Sequence, residues 1–376
     1  MVRGDTTNIE RGQARPNVRK LKLNTRAEKQ LTSVAAKYEL NEEIARGGVG
    51  IIFRGHDWLL EREVAIKMLQ EEYRDDPSIE RRFLNEARIV AKLQHPGIIP
   101  IYDLGKLGND TFISMPLVRG KTLAQLLEER TAPEQDLTRH LKFFERVCQI
   151  VAYAHAQDVI HRDLKPENVM VGPYGEVFLM DWGIAKALRE GQPCGCTLVE
   201  ANVDPDASAP NVVDLGRDTN IGSVLGTLAF ISPEQARGKT ARIDKRSDVF
   251  SLGAILCVIL TGKGPYRGKS NSRILRRAQA AETASALKCL DACMMDHALI
   301  ALAKDCLCGD PADRPADAGE LARRITASLT DTPVRDLEGL AVEACANARA
   351  LIAAHPDVTS PVLVGPDAGS AAEPRT

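Results

Sequence analysis

Nothing in this sequence narrows the choice of fold as far as one polar run, His161-Arg162-Asp163-Leu164-Lys165-Pro166-Glu167-Asn168, with Asp181-Trp182-Gly183 close behind it. The run has company. A glycine-rich stretch, Ala45-Arg46-Gly47-Gly48-Val49-Gly50-Ile51-Ile52, and an apolar segment closed by a lysine, Val64-Ala65-Ile66-Lys67, come earlier in the chain. Ser232-Pro233-Glu234, Ser247-Asp248 and Asp313-Arg314-Pro315 come later. Each segment alone is weak; their joint occurrence in this order carries the argument.

The early segments have physical readings of their own. Glycines between two strands let backbone N–H groups approach an anion without Cβ clashes, or they simply turn a hairpin. Lys67 either lies exposed on an edge strand or faces inward, where its charge needs a partner. The helical segment Ser78–Leu93 offers Glu86 for that purpose. Asp248 opens an apolar helix, a position the helix dipole favours for a negative charge.

Around these motifs the pattern is strand-like from Tyr38 to about Ile101, with one inserted helix, and mostly helical from Thr122 to about Leu329. Leu141–Gln157 reads as an amphipathic helix. Asp248–Leu260 is apolar nearly all round and reads as buried. His95-Pro96-Gly97 stops the inserted helix. Residues 1–36 read as a flexible polar and basic leader, and 330–376 as a helix (Leu337–Ala354) followed by a disordered tail.

With 49 Lys+Arg against 51 Asp+Glu, bulk charge gives no reason to expect nucleic-acid binding. Nine cysteines without regular spacing do not form a disulfide framework and suit a reducing compartment. The longest apolar run, Ala254–Leu260, is too short to span a bilayer. A soluble cytoplasmic protein is the expectation, with no membrane partner.

At His161–Asn168 and Asp181–Gly183 the chain resembles the eukaryotic-type protein kinases. Gly226-Thr227-Leu228-Ala229-Phe230-Ile231-Ser232-Pro233-Glu234-Gln235-Ala236 makes it most similar to the bacterial serine/threonine kinases of that superfamily. The resemblance covers roughly Tyr38 to Leu329. It implies an α+β, two-lobed kinase fold in a domain of residues 37–329. An antiparallel sheet with one helix would form the N-lobe (about 37–115), followed by a hinge at 116–119, a mostly helical C-lobe (120–329) and a long activation segment (181–234).

The resemblance also implies roles. Lys67, held by Glu86, would pair with the α- and β-phosphates of ATP. Asp181 and Asn168 would bind Mg²⁺, for which hard oxygen ligands are suited. Asp163 would orient the acceptor hydroxyl, Lys165 would reach the γ-phosphate, and Thr227 would sit beside both. Ile44, Ala45, Gly47, Gly48, Gly50, Ile52, Ala65, Met115, Pro116, Val118 and Met170 would hold the nucleotide, Pro116 through its carbonyl because it has no N–H. His161, Arg162, Trp182, Gly183, Glu234, Asp248 and Arg314 would be structural supports. Val90, Ile101, His161 and Trp182 would form an apolar column between the lobes. Serine and threonine hydroxyls of proteins would be the acceptors, and a homodimer would serve autophosphorylation in trans.

Three departures from the family pattern stand out. Ala45 replaces the first glycine of the glycine-rich loop. Trp182 replaces the usual phenylalanine, which repacking of the column can absorb. The stretch Arg189–Gly222 lengthens the activation segment, with Thr219 and Ser223 as candidate phosphate acceptors and Thr197 as a weaker one. Cys194-Gly195-Cys196, Cys306-Leu307-Cys308 and the pair Cys289 and Cys293 lack zinc-finger spacing and read as ordinary thiols. A nucleotide-binding pseudokinase or scaffold is the alternative, but Lys67, Asp163, Asn168 and Asp181 are all present. Small-molecule kinases share the Asp-x₄-Asn spacing but lack the Lys165-Pro166-Glu167 and Ser232-Pro233-Glu234 segments.

Overall fold

The computed structural model describes residues 37–47, 49–182, 186–187, 228–238, 243–268 and 270–330. Gly48, Gly183, Thr197, Thr219, Ser223, Thr227, Cys194 and Cys196 lie outside the described residues, as do the leader (1–36) and residues 331–376.

The first half of the fold is a five-stranded antiparallel sheet with strand order β1-β2-β3-β5-β4. Its strands are β1 (Tyr38–Gly47), β2 (Gly50–Asp57), β3 (Arg62–Leu69), β4 (Asp103–Leu107) and β5 (Asp110–Pro116). The two-residue side-chain period of a strand splits β3 cleanly. Val64, Ile66 and Met68 join Tyr38 and Phe112 in a cluster on one face. On the other face Leu69 packs with Ile113 of β5 and with Phe83 and Ala87 of the inserted helix. Lys67 shares the parity of Leu69, so the pleat aims it at the helix.

That helix, α1 (Pro77–Val90), begins one residue before the sequence-based expectation and ends three residues earlier. The reason for its start is local. The Asp76 side chain accepts from the backbone N–H groups of Ser78 and Ile79, and Pro77 occupies the first turn, where it has no hydrogen bond to lose. Past its end, Gly97 lets the chain press onto the helical half: a Cβ there would overlap the Ile150 side chain. Leu179 N–H donates to Gly97 O at 2.8 Å, and Ile98 bridges to Leu179.

Beyond β5 the chain becomes mainly helical. β6 (Lys121–Thr122), β8 (Val169–Val171) and β9 (Val177–Leu179) make a small sheet, and β7 (Val159–Ile160) pairs with β10 (Lys186–Ala187). Thr122 closes a reciprocal capping box with Gln125 at the start of α2 (Leu123–Glu128). α3 (Leu137–Ala156) starts four residues earlier than its apolar period suggests, with Leu137 packed on the core. α4 is the short Pro233–Ala236.

The centre is α5 (Lys245–Thr261), where Val249, Phe250, Leu252, Ile255, Leu256 and Ile259 are all sealed from solvent. Burying each such side chain stabilises by about 1.5–3 kcal/mol. α6 (Asn271–Gln279), α7 (Ala284–Ala292), α8 (His297–Cys306) and α9 (Ala318–Thr330) surround it. Among the described residues no helix is long and apolar enough to cross a membrane.

Candidate active site

Two groups of polar side chains meet where the sheet joins the helical half. In the first, Lys67 Nζ donates to Glu86 Oε1 at 2.8 Å and lies 3.8 Å from Asp181 Oδ1. Lys67 and Glu86 are both largely covered. Burial works against the Lys67 charge, but the Glu86 and Asp181 carboxylates outweigh it and hold the ammonium protonated. Of the two readings open for Lys67, the inward-facing one is what the structure contains.

In the second group, Lys165 Nζ lies 3.0 Å from Asp163 Oδ2. Asn168 Nδ2 donates to Asp163 O at 2.7 Å and to Asp163 Oδ2 at 3.0 Å. Both acceptors being oxygen fixes which end of the amide is nitrogen, so the Asn168 oxygen turns away from Asp163. Burial raises the Asp163 carboxyl above its ordinary value; the Asp181 charge adds to this and the Lys165 ammonium opposes it. The backbone ties the two groups together, Met180 N–H donating to Asn168 O at 2.8 Å.

Beneath the loop 161–168 lies Asp248 of α5, fully buried. Its Oδ2 accepts from His161 N at 2.8 Å and lies 2.9 Å from His155 Nε2; its Oδ1 accepts from Arg162 N at 2.8 Å. Burial pushes this carboxyl up, yet the His155 hydrogen bond and the facing N–H groups win and hold it below the ordinary range. Arg162 has a left-handed backbone (φ 71°), which a non-glycine residue resists. It is held from both sides, because its carbonyl accepts from Gln235 Nε2 at 2.8 Å. Burial keeps the His161 ring neutral. The ring receives Asp163 N–H on Nδ1 at 3.3 Å and gives its Nε2 proton to Met180 O at 3.1 Å.

Trp182 is buried, with its ring 4.5 Å from that of His161 and its Nε1 donating to Leu179 O. Val90 and Trp182 belong to the main core, and Ile101 packs against it. Farther down, Glu234 and Arg314 form a buried two-pronged ion pair at 2.8 and 3.0 Å, with Ser247 Oγ donating to Glu234 at 2.7 Å. Burial raises the Glu234 carboxyl, but Arg314 overcomes this and holds it low.

Of the residues expected around a nucleotide, Ile52, Ala65 and Met115 share the sheet face of Lys67, whereas Pro116, Val118 and Met170 lie beside that face. Ile52 is the β2 partner of Lys67, and Ala65 is paired with Met115. Pro116 closes β5, and Leu117 and Val118 follow it. Met170 of β8 is paired with Phe178. Gly47 and Gly50 pair at the end of the β1–β2 hairpin, and Ala45 pairs with Ile52. Ile44 falls at an irregularity in that register and is 43 % exposed. Space rather than backbone conformation distinguishes the glycines: a Cβ on Gly50 would stand 3.2 Å from Lys67 Cε, whereas one on Gly47 would meet nothing.

Sequence reasoning missed three supports: His155, Gln235 and Ser247. His155 accepts Ala318 N–H on Nδ1 at 3.2 Å while facing Asp248 on its other side, so one ring joins α3, α5 and α9. Its position one helical turn after Val151 on the buried face of α3 was the available signal. The thiols of Cys289, Cys293, Cys306 and Cys308 are free. Among the described residues no group of three or more His, Cys, Asp or Glu could hold a metal ion.

A family model described as "Protein kinase domain" matches residues 38–325. The chain is 37% identical over 241 residues to "Serine/threonine-protein kinase PknD" of Protochlamydia amoebophila (strain UWE25), a match over 61% of this chain and 23% of that protein. It is 31% identical over 306 residues to the PknD of Chlamydia pneumoniae, over 79% of this chain and 31% of that one. With "Serine/threonine-protein kinase PrkC" of Bacillus subtilis (strain 168) it shares 34% identity over 255 residues, 67% of this chain and 35% of the relative. The matched region therefore spans about a quarter to a third of the length of these curated relatives.

Proposed function

Because the chain belongs to the protein kinase family, we propose that it transfers the γ-phosphate of ATP, with Mg²⁺, to serine and threonine hydroxyls of proteins. The observation that carries the reading is the meeting of Lys67, Glu86 and Asp181 with Asp163, Lys165 and Asn168 in one place.

The donor set fits the reactants. Asp181 keeps about half of its side chain open to solvent (52%), and its carboxylate and the Asn168 amide oxygen are hard oxygen donors, the type magnesium prefers. When bound, the metal supplies charge neutralisation between the phosphates. Lys67, kept charged and held by Glu86, binds the α- and β-phosphates. Asp163 orients the acceptor hydroxyl and takes its proton, while Lys165 follows the charge developing on the transferred group. Asn168 keeps the Asp163 carboxylate turned toward the substrate. Ile44, Ile52, Ala65 and Met170 sandwich the adenine, Met115 stands beside it, and Pro116 O and the Val118 backbone fix its edge.

Autophosphorylation between residues 189 and 227, at Thr219 or Ser223, belongs to the same proposal. Arg162 suits a phosphate there: burial disfavours its charge, and its Nε has no hydrogen-bond partner among the described residues. Dimerisation for transfer in trans is a further expectation.

The test is γ-³²P transfer from ATP with Mg²⁺ to the protein itself and to a basic protein substrate, followed by phosphoamino acid analysis. Label on serine and threonine, absent in Asp163→Asn, is the expected result. Equal labelling by Asp163→Asn, or no labelling by either protein, overturns the proposal.

A further inference from the structure

A concavity lies behind the hinge; it shares Pro116 and Val118 with the proposed adenine site, but none of the six polar residues of the catalytic cluster lines it. It measures about 270 Å³ and is walled by Ile99, Pro116, Leu117, Pro173 and Phe178, with Arg119 at its edge. Its walls come from three places: the connection after α1, the hinge, and the β8–β9 turn. An occupant would therefore touch both lobes at once.

The end of the described chain points toward the same place. α9 starts against His155 at the end of α3 and runs back along it, so that Thr326 Oγ1 reaches Glu145. The next residue of α3, Arg146, donates from Nη1 to Gly175 O at 2.6 Å. Gly175 lies in the β8–β9 turn, between the cavity residues Pro173 and Glu176. α9 ends at Thr330, and residues 331–376 follow. The seven residues from Thr330 to Leu337 reach about 23–25 Å when extended. From there Leu337, Leu340, Ala341, Ala344, Ala348, Leu351 and Ile352 recur at three- and four-residue spacing, the anchor pattern of a helix that lies in a groove.

We propose that the Leu337–Ile352 segment of this chain docks behind its own hinge and seats a leucine or isoleucine of that stripe in the cavity. The docked segment links the β8–β9 turn to the Ile99–Pro100 connection.

The experiment uses the full-length chain carrying a benzoylphenylalanine photo-crosslinker at Pro173, mixed with isotopically heavy protein. Irradiation is expected to give crosslinks to residues 337–352 within one molecule. Leu340→Asp combined with Leu351→Asp is expected to lower their yield about ten-fold or more, the effect of losing about 1.4 kcal/mol. Crosslinks that fall elsewhere, that join heavy to light chains, or that persist undiminished in the double variant overturn the proposal. Amide hydrogen exchange needs no crosslinker. Protection of Gly172–Phe178 is expected to drop in the double variant, and unchanged protection there also overturns the proposal.

Discussion

The backbone N–H of His161 donates to Oδ2 of Asp248 at 2.8 Å, across 87 positions of sequence. With the matching bond from Arg162 to Oδ1, the core helix α5 holds the 161–168 loop by its backbone. The side chains of the loop stay available for chemistry. Asp248→Asn would place an amide NH₂ against a backbone N–H and leave buried donors unpaired. We expect a loss of about 3 kcal/mol in urea unfolding, together with a fall in kcat. An unfolding midpoint equal to that of the wild type would contradict this.

Glu234 and Arg314 form a sealed pair, so removing either one strands the other. Arg314→Ala and Glu234→Ala should each destabilise by about 3–5 kcal/mol, and the double variant by less than the sum of the two. The Glu234 carboxyl is held low in the fold, so its stabilisation is complete above the ordinary value of 4.5 and is withdrawn as the pH falls through the folded value. In Glu234→Gln, unfolding free energy should lose this acid-side slope; denaturant titrations at several pH values measure it.

The pH dependence of transfer should show the environment of Asp163. Burial raises its carboxyl, so the base is protonated, and activity lost, at a pH above the ordinary 3.8. Lys165 opposes that rise. Replacing it with alanine should move the acidic limb of kcat/KM to still higher pH as well as lowering the rate. A limb that stays in place, or moves down, would argue against Asp163 as the group being titrated.

Gly50 and Gly47 should respond differently to alanine. At Gly50 the new methyl stands 3.2 Å from Lys67 Cε and 3.3 Å from Met68 O, so the lysine stem must shift. Overpacking of that kind costs about 1–3 kcal/mol, and here it should appear as a raised KM for ATP. Gly47→Ala meets no protein atom and should leave the unfolding midpoint at its wild-type value, whereas Gly50→Ala should lower it. Denaturant unfolding of the two variants, with steady-state kinetics for Gly50→Ala, checks this.

Much of the fold was legible because it is written in short periods. The short apolar run of β3 and the unbroken apolarity of α5 are local facts, and the helix after β3 was placed to within a few residues. Its start was misjudged because the Asp76 cap lies outside the apolar stripe that marks the helix. The start of α3 was misjudged for a similar reason: three residues of little apolar character separate Leu137 from Leu141.

By itself the sequence determined which residue types stand at which spacing, and with them the kinase resemblance and the two-lobed plan. It left Lys67 with two readings and Asp248 with two roles, and it gave no sign of a cavity behind the hinge. Those were decided by contacts between distant elements: Glu86 brought to Lys67 by the packing of α1, and α5 set beneath the 161–168 loop. Motif spacing measures distance along the chain, whereas charge pairing, desolvation and free volume depend on distance through space.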